Sequence, residues 1–211
     1  MLPTWLTAEY LQPRLRAYCQ DDRLHVLRIW AKPATGTGEN FVGVMTRIYV
    51  DYQLGDGSVV NKTYIVIQAL SADVPQAEVF FEYDLYTREM DMYEFILPKL
   101  KELLQEAGLD RKLTADAIAV DREYNTMILE DLAPYKFVNA DRVKQLDMAH
   151  TKLTLEMLAK FHAASIVLQE CHPRNSIDFR FPSFFLLYIQ CRWIASYCLF
   201  NKTLFIEHLN R

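Results

Sequence analysis

The sequence predicts an α+β fold, with a five-stranded antiparallel sheet and one packed helix followed by a helical part. Three observations lead there. Between Leu24 and Leu70, three runs rich in β-branched and aromatic residues are separated by turn signals. From residue 76 the apolar period becomes helical. Two more short β-like runs then precede a long helical stretch.

The elements follow in chain order. Pro3–Cys19 reads as an amphipathic helix, interrupted or restarted at Pro13 because proline lacks an N–H and crowds the preceding turn. Leu24–Ala34, Phe41–Leu54 and Val59–Leu70 read as three strands. Gly55-Asp56-Gly57 marks the tight turn between the last two, so the three make an antiparallel meander. Over residues 76–97, Tyr86, Met90, Tyr93 and Leu97 recur on one helix face. Pro98 ends that helix or opens the next, and Lys99–Leu109 continues as helix to a C-terminal cap near Gly108. Asp116–Asp121 and Tyr124–Glu130 read as two short strands around Asp121-Arg122-Glu123. Asn139–Gln169 reads as one long helix, with a stripe of Leu146, Ala149, Leu153, Met157, Phe161, Ala164 and Leu168. No internal repeat and no low-complexity segment is visible.

Composition narrows the class. A chain of 211 residues makes one or two domains. Half of it is apolar and a quarter charged, an ordinary globular balance. The net charge is −4, and no dense Lys/Arg cluster points to nucleic acid. No stretch approaches the ~20 apolar residues of a membrane span, and the first residues lack the pattern of a signal peptide. The four cysteines form no Cys-x-x-Cys pair and no zinc-finger spacing, and read as reduced thiols of a cytoplasmic protein.

The glycine turn Ala34–Phe41, ATGTGENF, raises the question of function. Close-spaced glycines let backbone N–H groups approach a phosphate with no Cβ in the way. A Walker loop needs Lys-Ser/Thr after the glycines, and a dinucleotide turn needs a helix there. Here strand follows strand, which leaves a bare hairpin or a glycine hairpin lying over phosphates.

Five further segments settle the direction: TGENFVGVMTRIYVDY, TYIV, VFFEYDLYTREMDMYEFILPKL, MILEDL and LAKFHAAS. Together they resemble the ecdysteroid kinase-like (CHK kinase-like) family, found largely in insects and related to choline kinases and aminoglycoside phosphotransferases. The resemblance runs over about residues 3–170. It implies a protein-kinase-like N-lobe over residues 1–131, a hinge and first C-lobe helix over 132–170, and a divergent aromatic-rich tail over 171–211, an incomplete helical C-lobe. The reaction it implies is transfer of the ATP γ-phosphoryl group, with magnesium, to the hydroxyl of a small molecule such as an ecdysteroid.

The resemblance also implies roles. Gly36, Gly38, Glu39, Asn40 and Phe41 would form the loop over the ATP phosphates. Glu89, sharing a helix face with Tyr93 and Ile96, would pair with a third-strand lysine. Glu130, Asp131 and Leu132 would form the hinge, where backbone groups meet adenine. His162 would be a buried packing position of the second lobe. Read without the family, Glu89 is a solvated helix residue and Glu130-Asp131 an acidic turn. Adjacent carboxylates at a strand end do not face one another across a substrate, so a glycosidase pair is set aside.

Three parts are missing. The lysine position after Tyr64-Ile65-Val66 holds Ile67, which cannot donate to a phosphate or pair with Glu89, so Glu89 is expected to turn to solvent. Lys62 falls on the opposite strand face. None of the five histidines is followed by Gly-Asp, so the His-Gly-Asp motif that the resemblance calls for is absent, and no Asp-Phe stands at the spacing of the later metal motif. His172, Asn175, Asp178 and Phe179 lie too close together to replace these motifs. No catalytic and no metal-ligating residue is therefore assigned. The expectation is an inactive kinase-like module that retains the loop and hinge around a nucleotide. The alternatives are a non-catalytic pseudokinase binding nucleotide or a partner, and a degenerate fragment.

Overall fold

The computed structural model describes residues 2–34, 43–70, 82, 84–109, 112–138 and 143–171. The chain divides into two compact units, Met1–Glu94 with Ala115–Asp131, and Phe95–Thr114 with Leu132–Arg211.

The first unit is built on a five-stranded sheet of order β1-β2-β3-β5-β4. Its strands are β1 (His25–Pro33), β2 (Gly43–Gln53), β3 (Val59–Ala69), β4 (Ala117–Asp121) and β5 (Thr126–Glu130). All pairings are antiparallel, as the sequence predicts. Gly57 makes the β2–β3 turn at φ 89°, a conformation that costs a residue with a Cβ. The Asp56 carboxylate braces that turn by accepting from the Ser58 N–H and hydroxyl.

Each face of this sheet carries a helix. Helix α1 (Ala8–Cys19) starts at Thr7, whose hydroxyl accepts the Tyr10 N–H. It seals one face, with Leu11 and Leu15 fully buried against Ile48, Val50, Tyr64 and Ile128. Pro13 lies inside α1 and does not break it. An interior proline costs a helix about 3 kcal/mol. Burial of Leu11 and Leu15 on either side of it offsets that penalty, at roughly 1.5–3 kcal/mol per side chain. On the other face, α2 (Leu85–Asp91) buries Leu85, Tyr86 and Met90. Met90 packs with Met127 and Leu129 of β5.

A π-helical turn, Met92–Ile96, follows α2 and leads into α3 (Leu97–Glu106). Pro98 accounts for the wide turn. It has no N–H for the carbonyl four residues back, and its ring pushes that carbonyl aside. The helical path therefore bends its ladder at Pro98 instead of ending there.

In the second unit, α3 buries Leu100 and Leu104 and packs against α4 (Met148–Cys171). Gly108, at φ 71°, closes α3 as the sequence predicts. Helix α4 begins at Met148, not Asn139. Asp147 sets the start, its carboxylate accepting the His150 N–H at 2.8 Å. Residues 139–142 lie outside the described residues. Of the expected stripe, Phe161, Ala164 and Leu168 are buried, whereas Leu146 lies before the helix and is exposed. His162 is exposed, contrary to the buried position expected of it. It sits one residue round from Phe161, off the stripe that Phe161, Ala164 and Leu168 define.

Candidate functional site

Strand register sorts the sheet residues into two faces. Met45, Ile67 and Met127 stand in one row across β2, β3 and β5; Arg47, Ile65 and Leu129 stand in the next. These rows share the face on which α2 packs, since Met127 and Leu129 belong to the Met90 cluster. Lys62 pairs with Val50, a residue of the α1-side core, so it stands on the opposite face from Ile67.

Ile67 packs against the Met90–Met127–Leu129 cluster, with Tyr93 and Val120 around it. Its carbonyl accepts the Thr126 hydroxyl at 2.9 Å. The Ile67 side chain thus lies in an apolar setting. Helix α2 is fixed over this end of β3 by Tyr86, whose hydroxyl accepts the Leu70 N–H at 3.0 Å. Gly43 fits there because a Cβ would lie 2.8 Å from the Gln68 carbonyl oxygen. Glu89, between Arg88 and Met90, is half-buried, so it does not turn fully to solvent as expected. Its helix turn is pinned through its neighbour Met90.

At the end of β5 the two acidic side chains part. Glu130 accepts the Asp116 N–H at 3.2 Å, and its own N–H donates to the Asp116 carbonyl at 2.9 Å. Asp131 is 2% exposed and takes Arg47 of β2 side-on: Nε to Oδ2 at 2.7 Å, Nη2 to Oδ1 at 3.4 Å. The Arg47–Asp131 pair reaches across β3. Nothing in the sequence singles out Arg47 beyond its place in a β-rich run; only the register shows which strand it crosses. Leu132, in the second unit, is buried, and its carbonyl accepts from Tyr135 and Phe137. Gly36, Gly38, Glu39, Asn40 and Phe41 lie outside the described residues, in the connection between the paired strands β1 and β2.

A second polar cluster holds α1 to the β4–β5 turn. Tyr10 donates its hydroxyl to Asp121 Oδ2 at 2.7 Å, and Arg14 donates to the same oxygen at 2.7 Å. Asp121 Oδ1 accepts the N–H groups of Glu123 and Tyr124. Burial pushes the Asp121 carboxyl up, but hydrogen bonds from Tyr10, the Tyr124 N–H and Arg14, with the Arg14 charge, outweigh it and hold the group below its usual range. Burial, then the hydrogen bond to Asp121, raises the Tyr10 hydroxyl well above its ordinary value. The bonds close within the cluster, which marks it as architecture.

The Ecdysteroid kinase-like family matches residues 37–194, three quarters of the chain, from within the glycine turn to the aromatic-rich segment. This chain belongs to the ecdysteroid kinase-like family. No curated protein and no solved structure matches it. For an ecdysteroid kinase-like protein, the sheet of the first unit, with α2 on one face, is the kinase-like part. Among its described residues no group of three or more His, Cys, Asp or Glu could hold a metal ion, and no described helix is long and apolar enough to cross a membrane. Ile67 is an alkyl side chain with neither a donor nor a charge for a phosphate. No step through a nucleotide or a magnesium ion is derived.

Proposed function

We propose that this chain is a nucleotide-binding, kinase-like phosphotransferase module that does not transfer phosphate as it stands. The observation that carries the reading is Ile67. Family membership, the sheet order and the glycine connection between β1 and β2 support an ATP site on residues 1–131. In that reading Gly36, Gly38, Glu39, Asn40 and Phe41 cover the phosphates. The backbone at Glu130, Asp131 and Leu132 meets adenine. At the lysine position, however, stands an isoleucine packed among methionines. Phosphoryl transfer rests on positioning and on charges that offset the developing negative charge, and an alkyl side chain contributes neither. Magnesium would enter with the nucleotide phosphates. The acceptor of the family reaction is a small-molecule hydroxyl such as that of an ecdysteroid, and the setting we propose is cytoplasmic.

The test uses the purified full chain. Thermal melts with and without magnesium-ATP are expected to show a cooperative transition that ATP raises. Incubation with γ-labelled ATP and a panel of hydroxylated steroids is expected to give no labelled product. Labelled product would overturn the inactivity. A cooperative melt unmoved by ATP would overturn nucleotide binding, and a non-cooperative melt would favour a degenerate fragment.

A further inference from the structure

Helix α4 carries apolar residues on two opposite sides. Phe161, Ala164 and Leu168 make the buried side, in the unit that α3 and α4 share. At about 3.6 residues per turn, Leu155, Ala159, Ala163 and Ile166 fall on the reverse side, with Val167 next to them. All five are exposed: Leu155 and Ile166 by 58% each and Val167 by 43%. Single exposed apolar residues are ordinary on a surface, but a row of them along about three turns of one helix marks a contact face. Lys152 and Glu170 bound this row at its two ends, and Glu156 lies at its border. Two packed helices leave such a face bare, and a stable layer needs a further element on it.

The sequence supplies an occupant. The aromatic-rich segment begins where α4 ends at Cys171, and the family match continues past α4 to residue 194. Between residues 179 and 194, FRFPSFFLLYIQCRWI, Arg180 and Arg192 are the only charged residues, of the sign that complements Glu156 and Glu170 beside the face. The stretch HPRNSID before it has the polar, proline-containing composition of a turn. Even at the roughly 1.5 Å per residue of a helix, residues 179–194 can run back over the ~18 Å from Val167 to Leu155. A tethered segment meets the face at an effective concentration of about millimolar, well above that of a second copy in dilute solution.

We infer that residues 179–194 dock on the face of α4 formed by Leu155, Ala159, Ala163 and Ile166, running back along the helix, and so complete the second unit. The contact is made within one chain and is independent of the nucleotide reading above.

The experiment uses the full chain carrying Ala159→Cys, a small change at an exposed helix position. Alkylation of the new thiol by N-ethylmaleimide is followed by peptide mass spectrometry, natively and in urea, while light scattering gives the oligomeric state. The expected result is a monomer whose new thiol reacts at least about tenfold more slowly than in urea, because it is reached only through local opening. Adding Phe184→Asp and Leu187→Asp is expected to restore the fast reaction. A native rate equal to that in urea means an open face and overturns the inference. Protection that appears only at concentrations where a dimer forms also overturns it, since a second copy is then the occupant. Protection that survives the two aspartates assigns the face to another part of the chain and overturns it as well. Should the aspartate variant not melt cooperatively, Phe184→Ser takes its place and is read in the same way.

Discussion

The Tyr10 hydroxyl donates to Asp121 at 2.7 Å across 111 residues of sequence, and so joins the N-terminal helix to the far edge of the sheet. Arg14 shares the same carboxylate oxygen while lying over the Tyr10 ring, 3.6 Å from its centroid. The Trp5 and Tyr124 rings stack beside this pair, with centroids 4.8 Å apart. One carboxylate thus serves the helix with one oxygen and the β4–β5 turn with the other.

Asp121→Asn is expected to cost about 2 kcal/mol near neutral pH, since hydrogen bonds to charged groups are worth ~1.5–3 kcal/mol and Asn keeps part of the geometry. The folded carboxyl titrates below its usual range, so folding favours the ionised form. Its contribution is whole above the ordinary carboxylate range and is lost as pH falls through the lowered folded value. Urea melts of both proteins from neutral pH downward should therefore converge in acid. A gap that stays constant with pH would show that the charge is not what Asp121 contributes.

The same contact shows how far the sequence could be read. The strand runs and their turns were legible because alternation and glycine act locally. The stripe Tyr86, Met90, Tyr93 and Leu97 was legible because helical period acts over two turns. What escaped was set at long range. Pro13 survives in α1 because Leu11 and Leu15 are buried by strands far along the chain. Arg47 and Asp131 are 84 residues apart, and only the β2–β3–β5 register brings them together. The start of α4 was missed for a local reason: Asn139 and Asp141 offer the same capping chemistry as Asp147, and sequence alone does not rank them.

Tyr86→Phe removes the acceptor of the Leu70 N–H at a half-buried site. It is expected to cost about 1 kcal/mol, the usual net worth of such a bond. Gly43→Ala acts on the same end of β3 by crowding, since its Cβ would meet the Gln68 carbonyl at 2.8 Å. Overpacking of this kind costs ~1–3 kcal/mol. Because the two sites touch one locality, the double variant should depart from additivity in a double-mutant cycle of denaturant melts. Strict additivity would mean that Tyr86 and Gly43 hold separate parts of the structure.

Asp147→Ala removes the carboxylate that caps α4. The His150 N–H, with the His150 ring beside it, holds that carboxyl below its ordinary range, and the group is exposed to water. The effect is expected to be local. Amide exchange at His150 should quicken in the variant, while Phe161 and Leu168, deep in the helix, keep their protection. In the unaltered chain the protection factor at His150, the exchange rate taken relative to the intrinsic rate at the same pH, should fall as pH drops through the carboxyl titration, because the cap is present above that range and absent below it. Uniform loss of protection along α4 would mean that the cap holds the whole helix.

Ile67→Lys introduces the lysine that the proposed nucleotide reading expects on the third strand. The new ammonium would stand against Met90, Met127 and Leu129, and a charge brought to a half-buried apolar cluster costs stability. A loss of about 1–3 kcal/mol is expected, because the four-carbon stem can carry part of the charge outward. No phosphoryl transfer should appear, since the residue sequence still lacks a His-Gly-Asp motif. Urea midpoints and product formation from labelled ATP check the two halves separately. A variant more stable than its parent would mean that Glu89, half-buried on the neighbouring helix, accepts the new lysine as a partner.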